Sequence, residues 1–205
     1  FLGLASFLSS MLGEADHYLK DQLQATGFFE LTVLAWWTLW HVIGFVLVPC
    51  LVIRYVFKEN ISAMGWKLAD TLHDWKLYAW LVSCIVLLVY LVPFREDFIA
   101  HYPFYQLASR SWSDLLMWEF LYLAQFVCLE FFFRGYVLQS LRPAMGVNAI
   151  WVMLIPYMMI HFPKPWLEAS GSIVFGILLG LLALRSRSIW GGVMVHFGIA
   201  ISMEI

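Results

Sequence analysis

Glu130, Arg134, His161 and His196 each stand within or at the end of a long apolar stretch. An ionisable side chain at the centre of a membrane helix costs about 2.5 kcal/mol or more, so each is a functional candidate by default. Glu130 and Arg134 are four residues apart, which puts them on one helix face where they can pair. The plain reading of that pair is an internal salt bridge. Arginine does not deprotonate in proteins, so Arg134 suits orienting a carboxylate rather than moving a proton. A single membrane histidine, such as His41, is ordinarily a hydrogen-bonding core residue. Two histidines on separate helices near the depth of a glutamate can do more. Glutamate and imidazole together can deprotonate water, and a second imidazole can stabilise the oxyanion that forms on a peptide carbonyl. Counted from the cytoplasmic helix ends, Glu130, His161 and His196 lie at depths of about 16, 22 and 12 Å. The run His161-Phe162-Pro163-Lys164-Pro165 is followed by Glu168, so two prolines hold a base and an acid beside a candidate catalytic histidine. Its plain reading is a capped interfacial loop. Glu204 reads as a surface acid at a helix end.

Two histidines and a glutamate also permit zinc, with an open position for water. The HExxH spacing is absent. Hydrolysis without a cofactor is the expectation, and Glu130, His161 and His196 would be the ligands of a divalent metal if one were bound.

The elements that must position these groups are membrane helices. The 205 residues are 62% apolar, 18% aromatic and only 13% charged, a balance that a water-soluble domain does not tolerate. A span needs about 20 apolar residues. The chain therefore reads as an all-α polytopic bundle of about six to eight transmembrane helices, forming one membrane-embedded domain over 1–205 with its motifs in 112–205. Spans are expected at about 31–57, 77–94, 113–141, 147–161, 170–184 and 188–205. Segment 59–76, with Lys67, Asp70, Asp74 and Lys76, reads as an interfacial loop with a short amphipathic helix, and 101–112 as an aromatic loop at the headgroup boundary. Segment 1–12 is apolar, lacks a basic leader and a small-residue cleavage site, and reads as part of a helix.

Pro93 with Arg95, Glu96 and Asp97 is expected to stop the second span, and Pro143 with Gly146 the third. Ser172, Gly176 and Gly180 recur every four residues, a stripe that lets helix backbones approach closely in lipid. Cys50, Cys84 and Cys128 read as small buried apolar residues. Arg54, Lys58, Lys67, Lys76, Arg142, Arg185 and Arg187 fall on one side, expected to be cytoplasmic, and Lys20, Arg95, Arg110 and Lys164 on the other. A net charge of −2 without a basic run leaves no footprint for nucleic acid.

Leu129-Glu130 with Arg134-Gly135, then Tyr157 through His161, then His196, resembles the CAAX protease and bacteriocin-processing (CPBP, or Abi) family of intramembrane endopeptidases. The resemblance covers about the last hundred residues. The family pattern is two adjacent glutamates followed by arginine and glycine, an aromatic with histidine four positions on, and a histidine with Asn or Asp four positions on. It implies that the first glutamate and first histidine activate water, while the second histidine and its Asn or Asp polarise the scissile carbonyl. His161 matches the first histidine and His196 the second. Leu129 stands where the first glutamate is usual and Ala200 where Asn or Asp is expected, so Glu130 matches the second glutamate.

The function this implies is cleavage, near its terminus, of a membrane-anchored or lipid-modified protein or peptide that enters laterally from the lipid bilayer. The implied location is the plasma (inner) membrane of a bacterium. Glu130 and His161 would activate water, His196 would stabilise the oxyanion and Arg134 would orient Glu130. With Leu129 in place of the first glutamate, either Glu130 or Glu168 could supply the base. Two other classes remain open: an inactive family member that acts as a membrane scaffold, and a proton-coupled small transporter.

Overall fold

Between residues 29 and 57 the sequence holds Trp, Leu, Val and Ile with little that is polar, and it forms one helix, α1 (Phe29–Phe57). Pro49 lies in its interior, where it removes a backbone donor and crowds the preceding turn. The helix widens into π-type turns over Val42–Leu47 and Val52–Phe57 on either side, which gives the ring room. It ends at Lys58, in a left-handed conformation with φ 59°, and the Glu59 amide returns to the Ile53 carbonyl at 3.0 Å.

The computed structural model describes residues 29–68, 71, 75–90, 98 and 102–204. Expectations for 1–12, Lys20, Asp70, Asp74, Pro93, Arg95, Glu96, Asp97 and His101 lie outside that set. The chain divides into two compact units, Phe1–Trp37 and Thr38–Ile205. In the first, residues 29–37 are described, the opening turns of α1.

After α1 comes a 3-10 turn at Ile61–Met64; the short amphipathic helix expected within 59–76 falls partly on residues outside the described set, and α2 follows (Trp75–Val89). α3 occupies residues 112–145. Ser111 caps its start by accepting the Asp114 amide at 3.1 Å, and the Asp114 carboxylate is held by Arg110 at 2.6 Å and by the Tyr105 hydroxyl at 2.9 Å. Regular α-helix runs to Glu130, and Phe131–Val137 is π-type. Pro143 lies inside the last turns rather than ending them; the stop is Gly146, whose φ of 57° leaves the helical region.

α4 (Ala149–Met159) and α5 (Trp166–Ser186) pack through the small-residue stripe. A Cβ on Gly176 would overlap Leu154 and press on Tyr157, and one on Gly180 would crowd Met153 and Ile150. α6 (Trp190–Glu204) completes the unit. The core between α3, α4 and α5 contains Phe133, Leu138, Ile150, Met153, Leu154, Tyr157 and Ala183.

Among the described residues every regular element is helical. Three stretches are long and apolar enough to cross a membrane, Phe29–Phe57, Trp112–Met159 and Trp166–Ser186, with shorter apolar helices at Trp75–Leu87 and Trp190–Ser202. Six to eight spans were expected. Gly146 cuts the second stretch, leaving α4 at 11 residues, and His161 lies beyond α4 in the turn leading to Pro163 and Pro165. The Ile189 amide donates to the Gly65 carbonyl at 3.0 Å, so the segment after Lys58 meets the turn between α5 and α6, which contains Arg187. Lys164 donates to the Tyr102 hydroxyl at 3.1 Å, joining the 102–110 and 160–165 segments.

Candidate active site

Glu130 ends the regular part of α3, and Arg134 follows in its π-type stretch. Arg134 Nη1 lies 3.0 Å from Glu130 Oε1, and both side chains are fully buried. From α6, His196 Nδ1 reaches the same oxygen at 2.8 Å. Neither approach is well aligned, and Glu130 Oε2 has no hydrogen-bond partner among the described residues. A ring nitrogen this close to a carboxylate oxygen must carry a proton between them, since two lone pairs would repel. The proton on neutral His196 is therefore on Nδ1, leaving a lone pair on Nε2.

That lone pair faces Tyr157, whose hydroxyl lies 3.1 Å from Nε2. The Tyr157 ring also packs under Arg134, with the guanidinium carbon 4.1 Å from its centroid, and Phe126 stacks on His196 with the rings 7° apart. One chain thus runs from Arg134 through Glu130 and His196 to the Tyr157 hydroxyl.

Tyr157 serves His161 as well. α4 ends at Met159, so its last carbonyls lack helical partners. The Tyr157 carbonyl is met by His161 Nδ1 at 2.9 Å. A carbonyl only accepts, so Nδ1 carries the hydrogen and Nε2 of neutral His161 keeps its lone pair. Both imidazoles thus share a tautomer, fixed by different partners.

Glu168, in the first turn of α5, accepts the Tyr102 hydroxyl at 2.7 Å on Oε2 and stands 3.6 Å from Lys164 on Oε1. The charges of Glu168 and Lys164 both reach His161. The sequence placed Glu130 with His161. The structure brings Glu130 to His196, and the side chains that Glu168 meets are Tyr102 and Lys164. Leu129, at the usual position of the first glutamate, packs against the apolar core beside Tyr157. Among the described residues no group of three or more His, Cys, Asp or Glu is arranged to hold a metal ion.

Sequence reasoning missed the Tyr157 hydroxyl, Tyr102 and Gly192. A Cβ on Gly192 would fall within the Glu130 carboxylate. Its position four residues before His196, on the same face of α6, was the available signal. Gly192→Ala is expected to lower stability by about 1–3 kcal/mol through overpacking, read as a shifted denaturant midpoint in detergent. Gly171→Ala, whose Cβ would meet nothing closer than 3.9 Å, should not lower it.

Neither the curated proteins nor the solved structures yield a match to the chain. A protein-family model does match, described as "Type II CAAX prenyl endopeptidase Rce1-like", over residues 110–202. That span begins at the cap of α3 and ends in α6, and it contains Glu130, Arg134, Tyr157, His161, Glu168 and His196. These residues and the membrane-length helices describe an integral membrane protein that carries, across residues 110–202, an Rce1-like domain of the CPBP family.

Proposed function

We propose that the protein is an intramembrane endopeptidase that hydrolyses a peptide bond near the end of a membrane-anchored or prenylated substrate, in the plasma membrane of a bacterium. The observation that carries this reading is the Arg134–Glu130–His196–Tyr157 chain, buried among apolar helices and joined through Tyr157 to a second imidazole. Two imidazoles held in defined tautomers by separate partners are more than the packing of a helix bundle requires.

His161 is the base, because its Nε2 lone pair is opposite the nitrogen tied to the Tyr157 carbonyl. Glu168 supports it by stabilising the imidazolium as water's proton arrives. Glu130 holds His196, and Arg134 neutralises Glu130 so that the buried pair carries no net charge. No metal enters this route. The test is cleavage of a fluorogenic farnesylated peptide with a CAAX terminus by the protein in proteoliposomes. The parent should cleave it, while His161→Ala and His196→Ala fall to background; equal rates in all three would defeat the proposal.

The packing of Leu129 into the apolar core favours one second reading, an inactive relative that binds membrane partners. A His161→Ala/His196→Ala double variant that keeps both its partner and its phenotype would select it.

A further inference from the structure

We infer that the hydroxyl of Tyr157 is the hydrogen-bond donor to the oxyanion, taking the place of a group four residues after His196 that Ala200 cannot supply. This rests on the endopeptidase reading and deepens it. The family resemblance assigns carbonyl polarisation to the second histidine together with an Asn or Asp. Here the second partner is Ala200, a buried methyl group.

The histidine is limited too. Its Nδ1 proton is committed to Glu130 at 2.8 Å, so neutral His196 offers a lone pair at Nε2 and nothing to donate. A second proton would leave the Arg134, Glu130 and His196 set with a net positive charge in a buried, membrane-embedded site, where charge is strongly disfavoured. The O–H group found at that nitrogen is Tyr157, 3.1 Å away. His196 holds the hydroxyl by accepting its hydrogen, and rotation about the phenolic C–O bond turns that hydrogen onto a carbonyl oxygen placed beside it.

The placement is well supported. Tyr157 is 1% exposed, and its ring is fixed under the Arg134 guanidinium and is edge-on to Phe133. Its backbone carbonyl holds His161. The residue that donates to the oxyanion therefore also orients the base, and the two functions cannot drift apart.

The step balances as follows. Water's oxygen bonds to the carbonyl carbon as its proton passes to His161 Nε2, and the C=O π pair moves onto the oxygen that Tyr157 faces. On collapse that pair re-forms C=O, the C–N bond breaks, and the proton on His161 goes to the leaving amine. Tyr157 donates a hydrogen bond throughout and is not consumed.

Tyr157→Phe keeps the ring and its packing but removes the donor. In the farnesylated CAAX peptide assay, kcat should fall roughly 10²–10³-fold, the range for loss of one oxyanion donor, with KM within about threefold of the parent. As a second variant, 3,5-difluorotyrosine at position 157 retains the fold and the O–H but makes the phenol more acidic. A phenolate cannot donate, so activity should be lost at lower pH on the alkaline side than in the parent. The charged and titratable groups that face Tyr157 are Arg134 and Glu130 of α3, His161 in the turn after α4, His196 of α6 and Glu168 of α5; the substitution alters none of them.

The inference is overturned if Tyr157→Phe, or the fluorinated form across the alkaline range, behaves like the parent while His161→Ala and His196→Ala are inactive. If the parent cleaves no faster than those two alanine variants, the endopeptidase reading falls and takes this inference with it.

Discussion

Arg134→Met is expected to destabilise the protein by about 3–5 kcal/mol, the cost of leaving a buried carboxylate without its counter-charge. Glu130 and Arg134 have no solvent exposure, and the nitrogen of His196 that remains beside Glu130 belongs to a neutral ring. Water cannot substitute for the lost guanidinium without opening the packing of α3 against α6. Loss of the cation–π contact with Tyr157 adds about 0.5–2 kcal/mol. The double variant Glu130→Gln/Arg134→Met removes both charges and should recover most of the loss, leaving about 1 kcal/mol for a weakened contact to His196. Denaturant titration of both variants in detergent provides the check. A single substitution that costs under about 1 kcal/mol would mean that Glu130 is protonated in the folded protein, and the tautomer assigned to His196 would lose its basis.

Glu168→Gln is expected to lower kcat for the farnesylated peptide by up to the roughly 10²–10⁴-fold that a positioned acid–base group contributes, because it removes the charge that stabilises the His161 imidazolium. An amide keeps an acceptor for the Tyr102 hydroxyl, so the turn before α5 should hold its shape. The pairing with Lys164 is long, at 3.6 Å between side chains about one quarter exposed, so its loss should cost no more than about 1 kcal/mol of stability. Activity and stability therefore separate for Glu168, whereas both fall together for Arg134. If Glu168→Gln retains a rate within about threefold of the parent and Glu130→Gln abolishes cleavage, Glu130 and not Glu168 is the carboxylate on which catalysis depends, and the role given to Glu168 falls.

Much of this architecture was legible from residue types. Apolar stretches longer than a bilayer is thick mark α1, the length of chain from α3 into α4, and α5, because transfer to hydrocarbon depends on composition summed over a segment. The small residues at 172, 176 and 180 announced a close helix contact, and α4 supplies it. Glu130 and Arg134 at a separation of four residues announced their pairing. Other features left no such trace. Gly146 breaks what composition reads as continuous, since a single positive φ redirects a helix without changing its hydropathy. Pro143 is an obvious stop signal, yet it is absorbed within the last turns of α3.

The site divides along the same line. By itself the sequence determined that an acid, a guanidinium and two imidazoles would lie within or beside the membrane-embedded helices, and in which order along the chain. Those are properties of residue identity and spacing on single helices. Only the tertiary structure decided which imidazole Glu130 meets, that it is His196, and that Tyr157 serves both rings. Depth counted at a fixed rise says how far along its axis a group lies but not which way it points. The π-type turns after Glu130 and the turn that carries His161 beyond α4 both alter that direction. A hydrogen bond is made or lost within a few tenths of an ångström, and that precision is set by helix rotation and by close contacts such as Gly192 against Glu130, which no spacing along one chain encodes.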